Sequence, residues 1–343
     1  MIKPFFSVIM PVFNKAGQMN DSIRSLKEQT FKDFEVVFVN DGSTDTSADE
    51  LAQFSKDDER FRIVTHEKNS SVMTARYTGM KEAKGSYILF LDSDDTYAPY
   101  TCEKICASLQ NNLVDIVRFD IIEEPEMYIR HAEDFAEGTF DAYMKGKIEP
   151  TVWKNCYSQA VVKKALERIE PFYSNMAEDL FLSTVLYHCA ESVSVINEVL
   201  YHYNKGTGMS TRRKVSPEKM CRDMNSMVAV EEHLFSYVDR YCPEYHSLAE
   251  RKMKQNMRYI FINSVLNDDD CVNVMEVLYT LRGGKTQWLY EEACREAIPI
   301  LVRKKYDLTD RKLELIGVKI EPFKWLGYWW DGEKMISFDE EEL

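Results

Sequence analysis

Asp92-Ser93-Asp94-Asp95 close an uninterrupted apolar run, Tyr87-Ile88-Leu89-Phe90-Leu91. Carboxylates this close repel one another unless a cation lies between them. Hard oxygen donors with open positions suit Mg²⁺ or Mn²⁺ bridging to phosphates. The same residues also suit an Asx turn, with Asp95 or Thr96 capping the next helix. Their position adds weight to the chemical reading. The run, flanked by Gly85, reads as a strand buried on both faces, and open α/β sheets bind ligands beyond the carboxyl ends of their strands.

Such a site needs other strand ends beside it, and the preceding sequence supplies them. Strands are expected at Ser7–Met10, ended by Pro11, at Phe34–Val39, at Phe61–Thr65 and at Tyr87–Leu91. Helical patterns fall between them, at Ala16–Thr30, Asp45–Ser55 and Val72–Ala83. In the last of these Ala75, Gly79 and Ala83 share one face, small enough to pack closely on a sheet. Strand–helix alternation predicts a parallel sheet with right-handed crossovers. No Gly-x-Gly-x-x-Gly follows the first strand and no Walker-type Gly-Lys-Ser/Thr occurs, so neither phosphate-binding fingerprint applies.

Each strand end carries a polar cluster, and the clusters fit one ligand. Pro11, Val12, Phe13 and Asn14 would set a backbone edge and an aromatic ring beside a nucleobase. Asp41, after the second strand, offers a carboxylate to the imide N–H of uracil, and equally to guanine. Asp92, Asp94 and Asp95 would hold ribose and a divalent cation on a diphosphate. Arg76 would reach a phosphate, or else be a solvated helix-face cation.

The chain of 343 residues is long enough for two domains, and 45% hydrophobic with 29% charged residues is the balance of a globular protein. A net charge of −14 argues against nucleic-acid binding through phosphate contacts. A metal ion can nevertheless bring an anionic nucleotide to an acidic protein. Eight cysteines without a Cys-x-x-Cys pair read as free thiols of a reducing compartment. The first strand pattern starts close to Met1 and no apolar stretch reaches membrane-spanning length, which predicts a cytoplasmic protein.

From Pro99 to His202 the pattern is mixed. Beyond Arg213 it turns helical, with Ser216-Pro217-Glu218 as a helix start. Further helices are expected through Val238, over 243–266, 271–281 and 286–305, ahead of an acidic tail at 339–342. The domains expected are 1–213 and 214–343. Thr207–Lys214 reads as a mobile loop over a diphosphate or as a basic linker. Phe323, Trp325, Tyr328, Trp329 and Trp330, with basic clusters at 303–305 and 311–312, suggest peripheral contact with the inner face of the cell membrane or packing on the helices.

The stretches "FSVIMPVFN", "SLKEQTFKDFEVVFVNDGSTD", "TARYTGMKEAKGSYILFLDSDD", "MAEDLFLSTVLYHCA" and "LYHYNKGTGMST" occur in one order over about residues 5 to 211. In this combination the chain resembles the family 2 glycosyltransferases of the GT-A fold, those of bacterial surface-polysaccharide synthesis. The resemblance implies a Rossmann-like, mostly parallel mixed sheet flanked by helices, with a helical carboxyl-terminal region. It assigns uracil to Asp41, ribose and metal (Mn²⁺ or Mg²⁺) to Asp92, Asp94 and Asp95, and the general base to Asp179, next to Glu178 in the substrate site. As plain structure, Glu178-Asp179 is the acidic first turn of a helix. His202 is a further metal or phosphate ligand, or an ordinary strand histidine. Tyr77 stands where the family often has Asn, and the Gln-x-x-Arg-Trp signature of processive synthases is missing. The expected activity is therefore single, inverting, metal-dependent transfer from a nucleotide sugar, UDP-linked by resemblance, to a glycan or lipid-linked hydroxyl. A non-catalytic nucleotide-sugar-binding protein and a nucleotidyltransferase are the alternatives.

Overall fold

The computed structural model describes residues 3–56, 58–135, 138–205, 216–266 and 284–291, with three short strands between residues 323 and 337. The chain divides into two compact units, Met1–Thr211 with Ser226–Ala249, and Arg212–Asn225 with Glu250–Leu343.

In the first unit, β1 (Phe6–Val12), α1 (Asn20–Lys27), β2 (Phe34–Asn40), α2 (Ser47–Lys56), β3 (Phe61–Thr65), α3 (Val72–Glu82) and β4 (Tyr87–Phe90) alternate as the sequence predicts. β1, β2, β3 and β4 pair in parallel in the order β3-β2-β1-β4. Every residue of β2 and β4 is buried, as continuous apolar runs require. Ala75 of α3 packs on Val37 and Val39, with Val64 of β3 beside them. Gly79 brings α3 onto β1 so closely that a Cβ there would overlap the Ile9 side chain.

Two expectations are corrected. Pro11 does not end β1, which continues to Val12. The Ile9 carbonyl accepts from the Leu91 N–H, so Pro11, two residues on, turns its nitrogen to the same side. β4 ends at Phe90, and no ladder bond is lost there. Helix α1 starts at Asn20 rather than Ala16. Asn14 and Gly17 have φ of 51° and 72°, and this left-handed backbone makes a turn ahead of the helix.

The sheet continues through β5 (Thr96–Tyr97), β6 (Ile116–Glu124), β7 (Tyr128–Arg130), β8 (Asn155–Ser158) and β9 (Val193–Asn204). β8 runs antiparallel between β4 and β6, and β9 runs parallel to β6. Helices α4 (Thr101–Asn111), α5 (Thr139–Met144), α6 (Gln159–Leu166) and α7 (Glu178–Cys189) complete the order. Cys102 and Cys106 lie one turn apart on α4, buried and free.

The helices expected beyond Arg213 are α8 (Pro217–Tyr241) and α9 (His246–Leu266), with Ser226–Ala249 counted in the first unit. Within that unit His233 stacks on Phe172 and Tyr237 packs edge-on to Phe181. A small antiparallel sheet of β10 (Phe323–Trp325), β11 (Tyr328–Trp330) and β12 (Met335–Ser337) was not foreshadowed by the sequence. The 207–214 loop, the helix over 271–281, most of that over 286–305, both late basic clusters and the acidic tail lie outside the described residues. Among the described residues no helix is long and apolar enough to cross a membrane.

Candidate active site

Arg76 stands at the centre of the strand-end chemistry. It projects from the second turn of α3 with a side chain 3% exposed. Its Nη2 donates to Asp92 Oδ1 at 2.8 Å, and its Nη1 donates to Glu178 Oε1 at 2.8 Å and to Asp179 Oδ1 at 2.5 Å. The buried Nε has no hydrogen-bond partner. Rather than a solvated cation or a free phosphate ligand, Arg76 is the hub that joins the loop after β4 to the start of α7. That start is built by Ala177, left-handed at φ 64°, whose carbonyl accepts from the Leu180 N–H.

One guanidinium cannot fully satisfy three carboxylates. Burial raises the pKa of Asp179, Glu178 and Asp92 add to the effect, and Arg76 opposes it. Burial likewise raises Glu178 against the pull of Arg76. For Arg76 itself burial works to lower the pKa, but Asp179, Asp92 and Glu178 outweigh it and keep the guanidinium charged. A carboxylate whose pKa is raised takes up a proton more readily, the property a general base needs.

The remaining acids of the loop have separate roles. Asp94 Oδ2 accepts from Lys15 Nζ at 2.9 Å. Asp95 is buried, and its oxygens accept from Tyr201 Oη at 2.6 Å and the Asn204 N–H at 2.7 Å. Burial raises its pKa well above the ordinary range, and the Asp92 charge adds to this. Tyr201 Oη also accepts from the Asp92 N–H at 3.3 Å, so this tyrosine ties both ends of the acidic loop to β9. Since Tyr201 faces the loop, its neighbour His202 faces away, and pairs with Glu124 at 2.9 Å. Asp94, Asp95 and His202, the expected metal ligands, are thus not brought together. Among the described residues no group of three or more His, Cys, Asp or Glu side chains is arranged to hold a metal.

Across the strand ends, the Asp41 N–H donates to the Val12 carbonyl, closing β2 against β1. The Asp41 carboxylate is buried and accepts four bonds: His66 Nδ1 at 2.7 Å and the Ser70 N–H at 2.9 Å on Oδ1, Asn69 Nδ2 and the Ser71 N–H, both at 2.9 Å, on Oδ2. His66 Nε2 meets Thr78 Oγ1 at 2.9 Å. Gly42, at φ 69°, lets the next turn pass against Lys68, where a Cβ would collide with backbone. Phe13 is 41% exposed, free to face a flat ligand. Asn14 accepts from the Thr44 N–H and donates its own N–H to Ser43 Oγ, a structural part in this turn.

Lys15, His66, Asn69 and Tyr201 were missed by sequence reasoning. His66 directly follows β3, and the rule that strand ends carry ligands would have found it.

A parallel sheet extended by antiparallel strands, with an aspartate at the end of β2 and an acidic loop after β4, has the GT-A fold. Over 98% of both chains the structure superposes on S. aureus TarS 1-349 in complex with UDP-GlcNAc, with a TM-score of 0.57 at 20% identity. Residues 7–168 match the model of glycosyl transferase family 2. Over those residues the chain is similar to the catalytic domain of that family. Glycosyltransferase EpsH of Bacillus subtilis is 29% identical over 214 residues, 59% of this chain and 61% of EpsH. The teichuronic acid biosynthesis glycosyltransferase TuaG of the same organism is 39% identical over 102 residues, 30% of this chain and 40% of TuaG. The chain thus spans less than two thirds of the length of these curated relatives.

Proposed function

We propose that the protein transfers one sugar per encounter, with inversion, from a UDP-sugar to a hydroxyl of a glycan or lipid-linked acceptor in surface-polysaccharide synthesis. The observation that carries this reading is the Arg76 hub. It gathers Asp92, a residue of the donor-side acidic loop, to within one guanidinium of Glu178 and Asp179. Asp179 is the general base. It takes the acceptor proton as the hydroxyl oxygen attacks the anomeric carbon, and the bond to the nucleoside diphosphate breaks with its electron pair leaving on phosphate oxygen. A single displacement from the opposite face inverts the anomeric centre. Glu178 holds the acceptor beside the base, the residues from Pro11 to Asn14 flank the nucleobase, Asp92 takes the ribose, and Asp41 would read the nucleobase imide in exchange for one of the four bonds that its carboxylate accepts.

Mg²⁺ and Mn²⁺ at diphosphates use one or two protein carboxylates, with phosphate and water completing the shell. Asp94, whose Oδ2 accepts from Lys15, fits that part once the lysine yields it. Asp95, with both oxygens engaged by Tyr201 and Asn204, would support the loop from behind. When bound, the ion would neutralise the charge that develops on the leaving diphosphate. The reading places the enzyme in the cytoplasm, where nucleotide sugars are made, and at the membrane when the acceptor is lipid-linked. The catalytic domain is taken as residues 1–213, with Ser226–Ala249 packed back onto it.

The test is Asp179→Asn, which keeps shape and removes basicity. Transfer should fall by about 10³-fold, within the range for a general base, while nucleotide affinity holds. Normal turnover would sink the base assignment. Release of pyrophosphate instead of a nucleoside diphosphate would make the protein a nucleotidyltransferase.

A further inference from the structure

Lys15 holds Asp94 by a single contact of 2.9 Å, and both side chains are largely withdrawn from solvent, 18% and 13% exposed. Residues 15 and 94 are far apart in sequence, and a built turn brings them together. Asn14 adopts φ 51°, which an L-residue rarely does unless its surroundings impose it. Ser43 and Thr44 pin Asn14, Ser47 Oγ accepts from the Lys15 N–H at 2.8 Å, and Asp45 accepts from the Ala16 N–H at 3.1 Å. The segment is thereby stapled to the turn after β2, and the lysine crosses the strand ends to the loop after β4.

The cations of the cluster differ in how they are held. Arg76 is locked between three carboxylates and buried. Asp95 is capped by neutral donors and needs no cation. Lys15 sits on a flexible four-carbon stem, a point charge free to change partners. Asp94 is also the carboxylate with which a divalent ion would have to bind.

We propose that Lys15 is the resident counter-ion of the donor site. It neutralises Asp94 while no divalent cation is bound, its other ammonium N–H groups meeting the diphosphate of an incoming nucleotide, and it passes wholly to that diphosphate when Asp94 takes the ion. This rests on the donor-site reading given above. The exchange keeps the loop from carrying an uncompensated carboxylate in either state. It also gives the site a part of its phosphate affinity without metal.

Calorimetric titration of the full chain tests this with three probes: UDP and uridine, each in EDTA, and Mn²⁺ alone. Lys15→Met should lower UDP affinity about tenfold, the worth of one charge-assisted contact. Uridine affinity should stay unchanged, which also shows that the variant folds. Mn²⁺ alone should bind several-fold tighter, because Asp94 no longer has a built-in competitor. Lys15→Arg should keep UDP affinity within about threefold, since the charge remains. The proposal is overturned if Lys15→Met binds UDP like the natural protein, if it loses uridine together with UDP, if Mn²⁺ affinity does not rise, or if Lys15→Arg behaves like Lys15→Met. Should the natural protein bind neither uridine nor UDP, the donor-site reading itself fails and takes this proposal with it.

Discussion

Two ion networks in the first unit, one partly exposed and one buried, make opposite use of charge. Around Glu123 and Glu149 the acids are matched. Arg130 and Lys205 both pair with Glu123, while Arg130 at 2.9 Å and Lys154 at 3.6 Å pair with Glu149. Burial works against ionisation of Glu149, and Arg130 with Lys154 overcomes it, so its pKa is lowered. Around Arg76 a single cation serves Asp92, Glu178 and Asp179, and the pKa values of Glu178 and Asp179 rise instead. A matched network is structural, because every charge is spent within the fold. The unmatched one leaves carboxylates in excess over cations, which under the proposed function an acceptor proton or a donor-bound cation would relieve.

The sharpest way to break the contrast is to remove each central arginine. Arg76→Met would leave three carboxylates without their cation and should cost about 3–5 kcal/mol of stability, the range for a broken buried pair, together with transfer activity. Arg130→Met leaves Lys205 on Glu123 and Lys154 on Glu149. It should cost only about 1 kcal/mol, close to an exposed pair, with transfer retained. Denaturant melts of the two variants measure the difference, and equal losses would erase the distinction.

A second contrast lies in pH. Asp179 has a folded-state pKa above its unfolded value. From about pH 4, the ordinary aspartate range, up to the raised value, the folded protein therefore binds more protons than the unfolded chain. Stability from this group is complete at the acid end and is lost as pH rises through the folded pKa. Transfer needs the deprotonated base and should rise over the same interval. Melting temperature and kcat/KM, followed together across pH, should have opposite slopes. Asp179→Asn should flatten the first, and a melting curve unaffected by that change would mean the proton is held elsewhere.

The smallest expected effect belongs to His202. Its pair with Glu124 is partly exposed, and His202→Ala should cost less than about 1 kcal/mol, with nucleotide and Mn²⁺ titrations unchanged. A lost Mn²⁺ response would restore it as a ligand.

These regions also differ in how far they can be read from sequence. β2 and β4 were legible because a buried parallel strand is an apolar run and its polar end follows at once, so Asp41 and Asp92 to Asp95 could be placed without coordinates. The Arg76 hub was not, because Asp179 lies 103 residues along the chain and nothing local distinguishes a buried arginine from a solvated one. Reading "LYHYN" pointed to the histidine, yet Tyr201 is the residue that reaches the acids. A strand's alternation is visible in sequence, but which parity faces the site is fixed by its partners. The pairing of Lys15 with Asp94 had no signal either, since it depends on one left-handed residue at Asn14.

Gly79 has no functional group, yet it sets the reference position for the chemistry. Because α3 meets Ile9 at a point where even a methyl group would overlap, the helix is keyed to β1 and cannot slide along it. Arg76, one turn before the key, inherits that fixed height above the strand ends. In a library of active variants the outward positions of α3, such as Lys81, should drift freely while position 79 stays glycine. The tolerance of the catalytic geometry is thus written into a residue that never touches a substrate.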